Sequence, residues 1–150
     1  YVYDNGLMKG TAPARFEPNG TLTRAQIAQI LYAKNGQPTV TATTPFTDVA
    51  QGDWFYNAVC WAYENKIVSG TSPTTYAPNE LVTREQMAKM LYAASSVSDW
   101  AQTAMLWATQ NKIINGSKDN GTLRLNPQKG ATRAEAATMM KSYAAYEANK

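Results

Sequence analysis

The chain contains no histidine and only one cysteine, Cys60, among its 150 residues. A lone cysteine cannot form a disulfide within the chain, and without histidine a Cys/His zinc site is excluded. The absence of histidine also removes the side chain most often used for acid–base catalysis. We therefore expect neither a cofactor nor a metal. Cys60 lies in an apolar helical segment, and we expect it to be a core residue.

Long hydrophobic runs and clusters of one charge are also missing. No apolar stretch approaches the roughly 20 residues of a membrane-spanning helix, so we expect no membrane insertion. The sequence has no secretory signal, and we expect any export signal to lie outside this segment. The net charge is only +3 and the pI about 9.0, without the lysine and arginine clusters typical of nucleic-acid binding. This weak excess favours an anionic partner that is not a nucleic acid.

The sequence does contain one stretch that occurs three times. The copies are Leu22–Ala28, Val82–Ala88 and Ala131–Ala137. Each has Thr-Arg after an apolar residue, and Gln or Glu three residues beyond the threonine. This is the capping-box pattern, in which the threonine caps a helix and the Gln or Glu side chain reaches back to the cap N–H. The spacing predicts three repeats, each with a capped helix.

An arginine follows each capping threonine, at Arg24, Arg84 and Arg133. At the first helical position its charge faces the positive end of the helix dipole, a penalty of ~0.3–1 kcal/mol. A local rule broken three times at one position points to function. Because an arginine beside free N–H groups at a helix start suits a carboxylate or phosphate, we favour an anion site. The competing hypothesis is a structural arginine laid over a neighbouring loop in an ion pair.

Two further segments recur around these helices. Helix ends are predicted at Tyr3–Gly10, Tyr63–Gly70 and Thr109–Gly116. We expect positive φ at each final glycine, polar helix-end caps at Asn65 and Asn111, and a first unit truncated on its N-terminal side. Prolines follow at Pro18, Pro78 and Pro127. The residue before each proline is predicted to be extended.

A helix with two tryptophans precedes the later helix ends, and in the second unit it is predicted from about Asp53 to Lys66. The tryptophans are Trp54 and Trp61 in the second unit, and Trp100 and Trp107 in the third. Asp53 and Asp99 are predicted N-caps. We expect the later tryptophan of each pair in the core, whereas the first one fits the core or a sugar platform about equally.

Intrinsic catalysis is disfavoured. A glycosidase needs two carboxylates at a set separation across a cleft, and no acidic position recurs in all three units. The sequence leaves two non-catalytic functions open beside the binding of an anion. One is a structural module that packs into a surface lattice or holds another protein. The second is an accessory domain of a carbohydrate-active enzyme.

Taken in order along the chain, the unit is Phe-x-Asp, then Trp with Ala four residues later, then Asn-Lys-Ile-(Val/Ile)-x-Gly, then an apolar residue two before Pro, then Thr-Arg-x-(Gln/Glu). This order closely resembles the S-layer homology repeat. The resemblance implies an all-α fold in which three repeats surround a shared helical bundle with pseudo-threefold symmetry and grooves between repeats. It implies one module over residues 1–150, with repeats at 1–36 (incomplete), 46–95 and 97–144.

The resemblance also implies a function. Such modules anchor exported proteins non-covalently to the bacterial cell wall at the cell surface, and their usual ligand is an anionic, often pyruvylated, secondary cell wall polymer. The implied partners are this polysaccharide and the parent protein outside the segment. The implied ligand-binding residues are Arg24, Arg84, Arg133, Asp48, Trp54, Trp100, Gly10, Thr11, Gly70, Thr71, Gly116 and Ser117.

The chain departs from the family pattern in four places. The third repeat has Val97-Ser98-Asp99-Trp100, without a clean Phe-x-Asp. The first repeat lacks its Phe-x-Asp and Trp segment. Gln26 and Gln86 replace the more usual Glu of the capped helix. The third loop is longer than its counterparts, and its Asp119-Asn120-Gly121 sequence predicts a tight turn.

Overall fold

A computed structural model describes residues 1–10, 12, 15–94, 104–119, 122–124, 126 and 128–149. Within these ranges the elements are α1 (Arg24–Lys34), α2 (Tyr56–Glu64), α3 (Arg84–Ala94), α4 (Ala104–Gln110), β1 (Ser117–Asp119), β2 (Thr122–Arg124) and α5 (Arg133–Ala148). The predicted all-α class is confirmed, since the two short strands form only a local antiparallel hairpin. The turn predicted inside this hairpin falls on residues 120–121, outside the described residues.

The three capped helices α1, α3 and α5 begin where the sequence predicts. Ahead of α1, the Thr23 hydroxyl accepts from the Gln26 N–H at 3.3 Å, and the Thr23 N–H donates to Gln26 Oε1 at 2.9 Å. The same reciprocal pair precedes α3 and α5. Each capping box therefore satisfies the third N–H of its helix and the N–H of the cap.

The residues just before the capping threonines form a closed ring of backbone hydrogen bonds. Leu22 N–H donates to the Ala131 carbonyl at 3.2 Å, Ala131 N–H to the Val82 carbonyl at 3.0 Å, and Val82 N–H to the Leu22 carbonyl at 2.9 Å. All three side chains are buried. Because each residue donates to one neighbour and accepts from the next, the ring marks the pseudo-threefold axis and places the three helix starts around it.

Each capped helix contributes an apolar stripe to one core. Ile27 and Leu31 from α1, Met87 from α3 and Met140 from α5 are completely buried. In the rest of the bundle α2 packs against α1, and α4 packs against α3. The Trp-bearing helix of one repeat thus lies on the capped helix of the repeat before it.

Aromatic contacts hold these helix pairs together. Trp61 packs on Tyr32 with ring centroids 5.6 Å apart, and Trp107 packs on Tyr92 at 5.4 Å. Both tryptophans are buried, as is Cys60, and burial raises the pKa of the Cys60 thiol. The predictions of core positions for these three residues are confirmed.

The helix ends differ in part from the prediction. Positive φ occurs at Gly6, Lys66 and Lys112, with values of 66°, 57° and 55°. These residues lie four positions before the glycines for which positive φ is predicted. Gly10 and Gly70, which the structure describes, do not have positive φ, so the prediction is wrong for these two glycines. The left-handed residue comes directly after the last helical turn, where it ends the helix.

At the end of α2 the backbone forms a Schellman motif. Lys66 N–H and Ile67 N–H donate back to carbonyls of the last turn at 3.0 and 2.8 Å. The Asn65 amide also donates to the carbonyl four residues before it at 2.8 Å, and Asn111 does the same after α4. The prediction that these two asparagines cap helix ends is confirmed.

The predicted start of α2 is wrong. The helix begins at Tyr56, and its N-cap, Phe55, makes no side-chain capping bond. Asp53 instead accepts from the Ala50 N–H at 2.7 Å, within the turn before the helix. Its carboxylate therefore stabilises that turn rather than capping α2. The corresponding Asp99 lies outside the described residues.

The residues before the prolines are left-handed rather than extended. Glu17, Ala77 and Asn126 have φ values of 51°, 58° and 44°. A residue before proline prefers an extended backbone, and these loops override that preference. The chain turns here so that the Pro18 and Pro78 carbonyls can accept from the neighbouring helix starts. Within the described residues, no helix has the length and apolar character needed to span a bilayer.

Candidate functional site

Arg24 lies over the loop of the next repeat. Its Nε donates to the Tyr76 carbonyl and its Nη2 to the Ser69 carbonyl, both at 2.8 Å. The guanidinium lies 4.6 Å from the centre of the Tyr76 ring, and the residue is 5% exposed. Burial raises the pKa of Tyr76 to about 12, although the Arg24 charge acts in the opposite direction. The Tyr76 hydroxyl stays protonated and donates to the Arg24 carbonyl at 3.0 Å.

The remaining two arginines bind the loop of the following repeat, Arg133 through the same two nitrogens as Arg24, and Arg84 through Nη2 alone, with its Nε buried and unpartnered among the described residues. Arg133 donates from Nε to the Phe16 carbonyl at 2.8 Å and from Nη2 to the Lys9 carbonyl at 2.6 Å, with its guanidinium 4.7 Å from the Phe16 ring centre. Arg84 donates from Nη2 to the Asn115 carbonyl at 3.2 Å. Each arginine thus reaches into the following repeat, and the third repeat closes on the first.

The three guanidinium groups differ at Nη1. The Nη1 of Arg84 forms an ion pair with Glu135. Arg24 and Arg133 have no carboxylate partner and no acceptor for Nη1 among the described residues. Neither of these Nη1 atoms is buried without a partner. Each therefore keeps some contact with solvent. Two of the three arginines therefore have an Nη1 group with no partner among the described residues.

The backbone N–H groups at the starts of α1 and α5 are not free, contrary to the prediction. Arg24 N–H donates to the Glu80 carbonyl at 2.9 Å, and Ala25 N–H to the Pro78 carbonyl at 3.0 Å. The first two N–H groups of α5 make the same bonds to the loop of repeat 1, at 2.7 and 3.0 Å. The next repeat therefore satisfies the first two N–H groups of α1 and of α5, and these groups are not available to a ligand.

A cleft of about 300 Å³ lies between Arg133, the loop of repeat 1 and α1, and we call it the repeat 1 cleft. Its polar lining residues are Lys9, Gln26, Gln29 and Arg133, with Gly10 and the exposed Trp54 beside them. Among the described residues that line it, Lys9 and Arg133 carry positive charge and none is a carboxylate.

The equivalent repeat 3 cleft has a volume of about 260 Å³ and is lined by Arg84, Asn115, Gly116, Glu135 and Thr138, among others. Its arginine is paired with its glutamate, so its charges cancel. In repeat 2 a cleft of about 500 Å³ contains Ser69 and Lys89, but Arg24 does not line it.

Trp54 is 63% exposed and lines the repeat 1 cleft. Its ring stands edge-on to Phe55 at 5.2 Å, which leaves much of the indole surface open. An exposed aromatic ring beside a charged cleft is unusual for a residue that serves only the core. Its counterpart Trp100 lies outside the described residues.

Asp48 lies in the segment before α2, binds the loop that Arg24 contacts, and lines none of the three clefts. Its Oδ1 accepts from the Tyr76 N–H and its Oδ2 from the Ala77 N–H, both at 2.8 Å. With each carboxylate oxygen holding a backbone donor, Asp48 fixes the left-handed turn at Ala77.

Gly70 and Thr71 belong to the same loop. A Cβ on Gly70 would lie 2.5 Å from the Thr75 carbonyl oxygen and 2.6 Å from the Phe46 ring, so no larger residue fits. Thr71 closes the turn, because its N–H and its hydroxyl both donate to the Thr75 carbonyl, at 2.8 and 3.3 Å. The structure brings both residues to the loop and not to a cleft.

The glycine turns of repeats 1 and 3 border clefts. Gly10 lines the repeat 1 cleft, and a Cβ there would lie 2.7 Å from the Arg15 carbonyl oxygen. Gly116 lines the repeat 3 cleft. Ser117 begins β1, and Thr11 lies outside the described residues.

The sequence-based set lacks three polar residues that line the repeat 1 cleft: Lys9, Gln26 and Gln29. Gln26 was visible as a departure from the family pattern, and Gln29 lies one turn further on the same face of α1. Only the closure of repeat 3 onto repeat 1 brings them to Arg133, and no local signal shows that. In the described ranges, no three His, Cys, Asp or Glu side chains gather as a metal site would require.

These features define a class of protein: a helical binding module of three repeats, closed into a ring by arginines, with clefts where the repeats meet. The sequence profile of the S-layer homology domain matches residues 1–28, 45–88 and 94–137. Because this match covers more than half of the chain, the chain belongs to the S-layer homology family, as predicted. Membership indicates a cell-surface or cell-wall location and a role in cell-wall anchoring.

Similar proteins are much longer. The surface-layer 125 kDa protein of Lysinibacillus sphaericus is 32% identical over 153 residues, which is 92% of this chain and 13% of that protein. The endoglucanase of Bacillus sp. (strain KSM-635) is 37% identical over 93 residues, which is 62% of this chain and 10% of that protein. The amylopullulanase of Thermoanaerobacterium thermosulfurigenes is 32% identical over 88 residues, which is 59% of this chain and 5% of that protein. The chain thus matches only a small part, 5–13%, of the length of these relatives.

Proposed function

We propose that this module anchors its parent protein non-covalently to the bacterial cell wall by binding an anionic secondary cell wall polymer in a cleft between repeats. The repeat 1 cleft supports this most strongly. There Nη1 of Arg133 has no partner within the part of the chain that the structure describes, Lys9 adds a second cation, and Trp54 exposes an aromatic face. A pyruvylated amino sugar, which carries a carboxylate on a sugar ring, fits this combination. We propose no catalytic activity for the module itself.

The acid group binds to Arg133 without moving it. Nε and Nη2 stay on the carbonyls of Phe16 and Lys9, and Nη1 donates to the ligand. Because the guanidinium is already held in place, little side-chain entropy is lost on binding. A hydrogen bond between charged groups contributes about 1.5–3 kcal/mol.

The sugar ring rests on Trp54. An indole ring offers a large rigid apolar surface at a low cost in conformational entropy. Leu7, Met8 and Ile30 also line the repeat 1 cleft and provide further apolar contact. The cleft therefore combines charge recognition at one side with apolar contact for a ring.

The remaining predicted residues take different roles in this proposal. Asp48, Gly70 and Thr71 shape the loop that Arg24 holds and do not touch the polymer. Gly10 lets the loop bordering the repeat 1 cleft turn closely. Trp100, Thr11 and Ser117 stay predictions as ligand-binding residues.

Sedimentation with purified wall sacculi tests the function. The wild-type chain is expected to sediment with intact sacculi and to stay in solution with sacculi stripped of their secondary polymer. Trp54→Ala should lower the affinity roughly fivefold, equivalent to about 1 kcal/mol, because the ring contact is lost. Leu81→Ala is the matched control, since Leu81 is also an exposed apolar residue, at 53%, and lines none of the three clefts.

Circular dichroism must show that both variants are folded. Equal sedimentation with intact and stripped sacculi would contradict the proposal. Assembly of the chain into sheets or large particles without any wall material would favour the surface-lattice function instead.

A further inference from the structure

Repeat 1 has a second cavity, of about 920 Å³, beside the repeat 1 cleft. Its lining includes Tyr3, Gly10, Arg15 and Phe16, and we call it the Phe16 slot. Lys9 and Gly10 border both the slot and the cleft. The slot exposes aromatic surface, since Tyr3 is 73% exposed and Phe16 is only half-buried.

The same place in repeat 2 is filled by a phenylalanine. The lining residues have counterparts there: Tyr63 for Tyr3, Gly70 for Gly10 and Tyr76 for Phe16. The Phe46 ring contacts all three of these counterparts. Its centroid lies 5.1 Å from that of Tyr63 and 5.6 Å from that of Tyr76, and a Cβ on Gly70 would lie 2.6 Å from it. The Phe16 slot is therefore the counterpart of the Phe46 site, without a phenylalanine from the described residues.

Repeat 1 also lacks the carboxylate that follows this phenylalanine. In repeat 2 Asp48 accepts from the Tyr76 and Ala77 N–H groups, both at 2.8 Å. The corresponding donors are the N–H groups of Phe16 and Glu17, and Glu17 has the same left-handed backbone as Ala77. Neither N–H group has an acceptor among the described residues. The slot thus offers a place for a phenyl ring and two donors for a carboxylate two residues further on.

We propose that the Phe16 slot binds a Phe-x-Asp segment of the parent protein from outside these 150 residues. Within the 150 residues the sequence Phe-x-Asp occurs once, at 46–48, and it fills its own site in repeat 2. The charge of the slot suits the aspartate. Lys9 and Arg15 line it, whereas Glu17, which pairs with Arg15, does not.

The bound segment also fixes the arginine of the repeat 1 cleft. The Phe16 ring lies 4.7 Å from the Arg133 guanidinium, and the Phe16 carbonyl accepts from Arg133 Nε at 2.8 Å. In repeat 2 the Tyr76 ring contacts both Phe46 and Arg24, and Tyr76 is completely buried. A segment in the slot orders Phe16 in the same way, and with it the ring and carbonyl that hold Arg133. This step rests on the proposed function, and it makes the segment and the wall polymer bind cooperatively.

A capped synthetic peptide with the sequence of residues 44–50, Thr-Pro-Phe-Thr-Asp-Val-Ala, tests the slot. Binding should move the amide proton resonances of Phe16 and Glu17 downfield in the NMR spectrum of the labelled chain, because both N–H groups gain a carboxylate acceptor. A peptide with Phe→Ala should bind about tenfold more weakly or worse, since the ring is no longer buried. A peptide with Asp→Asn should reduce the shifts of these two amides.

A pair of chain variants locates the binding. Tyr3→Ala should lower the affinity for the peptide by about fivefold through loss of the ring contact. Tyr1→Ala is the matched control, because Tyr1 is also an exposed tyrosine, at 44%, and does not line the slot. Peptide binding that a folded Tyr3→Ala variant keeps in full, or that leaves the Phe16 and Glu17 amides unmoved, overturns the slot.

A tethered segment keeps the test decisive if the free peptide binds weakly. Joining the same segment to Tyr1 through a Gly/Ser linker raises its effective concentration to the millimolar range. This fusion should melt at a higher temperature than a fusion whose added segment carries Phe→Ala and Asp→Asn. Equal melting temperatures of the two fusions overturn the slot.

The source of the segment is tested by the oligomeric state of the chain. Analytical ultracentrifugation should show a monomer with and without the peptide. A dimer that the peptide dissociates would mean that residues 46–48 of a second copy fill the slot, and it would overturn the assignment to another part of the parent protein.

Cooperativity is measured by isothermal titration calorimetry with a soluble wall-polymer fragment. Saturating peptide should raise the affinity for the fragment by about fivefold or more, whereas the Phe→Ala peptide should leave it unchanged. Peptide binding without any change in polymer affinity overturns the coupling and leaves wall anchoring intact. No binding of the chain to intact wall polymer overturns the proposed function, while the slot is still judged by the peptide alone.

Discussion

At the scale of single residues, the arginines have two tasks. Each uses one or two nitrogens to bind carbonyls of the next repeat, and these bonds are buried or partly buried. Lysine cannot replace such a fork, because its single ammonium reaches fewer acceptors and does not stack on a ring. Arg84 and Arg133 hold the repeats together and also line a cleft, whereas Arg24 does not line the repeat 2 cleft.

Arg24→Lys tests the structural task. The variant loses the planar donor pair to the Tyr76 and Ser69 carbonyls and the stacking on the Tyr76 ring. The free energy of unfolding should therefore fall by about 2–3 kcal/mol. Chemical denaturation measures this. Arg15→Lys is the matched control, because the Arg15 side chain is 70% exposed in its pair with Glu17, and the change should be small. Equal stability of the two variants would show that the buried fork contributes little.

At the scale of elements, a single left-handed residue follows the last turn of the corresponding segment in each repeat. It is Gly6 in repeat 1, where the preceding residues form turns, and Lys66 and Lys112 after α2 and α4. The left-handed conformation costs a residue with a Cβ about 1–2 kcal/mol, and glycine avoids this cost. The two lysines therefore carry local strain that the first repeat avoids.

Lys66→Gly should stabilise the chain by about 0.5–1 kcal/mol. Relief of the strain exceeds the extra conformational entropy that glycine has in the unfolded chain. Thermal and urea unfolding measure the change. Lys89→Gly, in the interior of α3, is the opposed control and should destabilise by about 1 kcal/mol. A loss of stability in Lys66→Gly would mean that the lysine side chain has a role that the backbone does not explain.

The elements also show what the sequence can predict. The three capped helix starts and the Asn65 cap are local patterns, and the structure confirms them. The left-handed Ala77 before Pro78 was not predictable, because Asp48, 29 residues away, holds that turn. Errors of this kind arise wherever a distant partner overrides a local bias.

At the scale of the whole molecule, the chain closes on itself. Repeat 3 binds repeat 1 through Arg133, through the first two N–H groups of α5 and through the bond from Leu22 to Ala131. The resemblance predicts the threefold arrangement, but no motif shows that Arg133 meets Lys9 or that Gln26 borders the same cleft. The candidate site is therefore a product of closure, and the cleft residues outside the motifs could not be found before the fold was known.

Ring closure makes a final prediction about cooperativity. Removing residues 1–19 deletes the Lys9, Phe16 and Pro18 carbonyls, so Arg133 and the start of α5 lose acceptors, and each buried unsatisfied donor costs about 1–3 kcal/mol. Since all three capped helices share one core, the loss should spread to α3, which contacts none of the deleted carbonyls. Amide hydrogen exchange should show Met87 and Leu91 losing protection together with α5. Removal of Asn149 and Lys150 is the control and should leave both helices protected. If α3 keeps its protection in the shortened chain while α5 loses it, the repeats are independent units, and the ring is a geometric arrangement without energetic coupling.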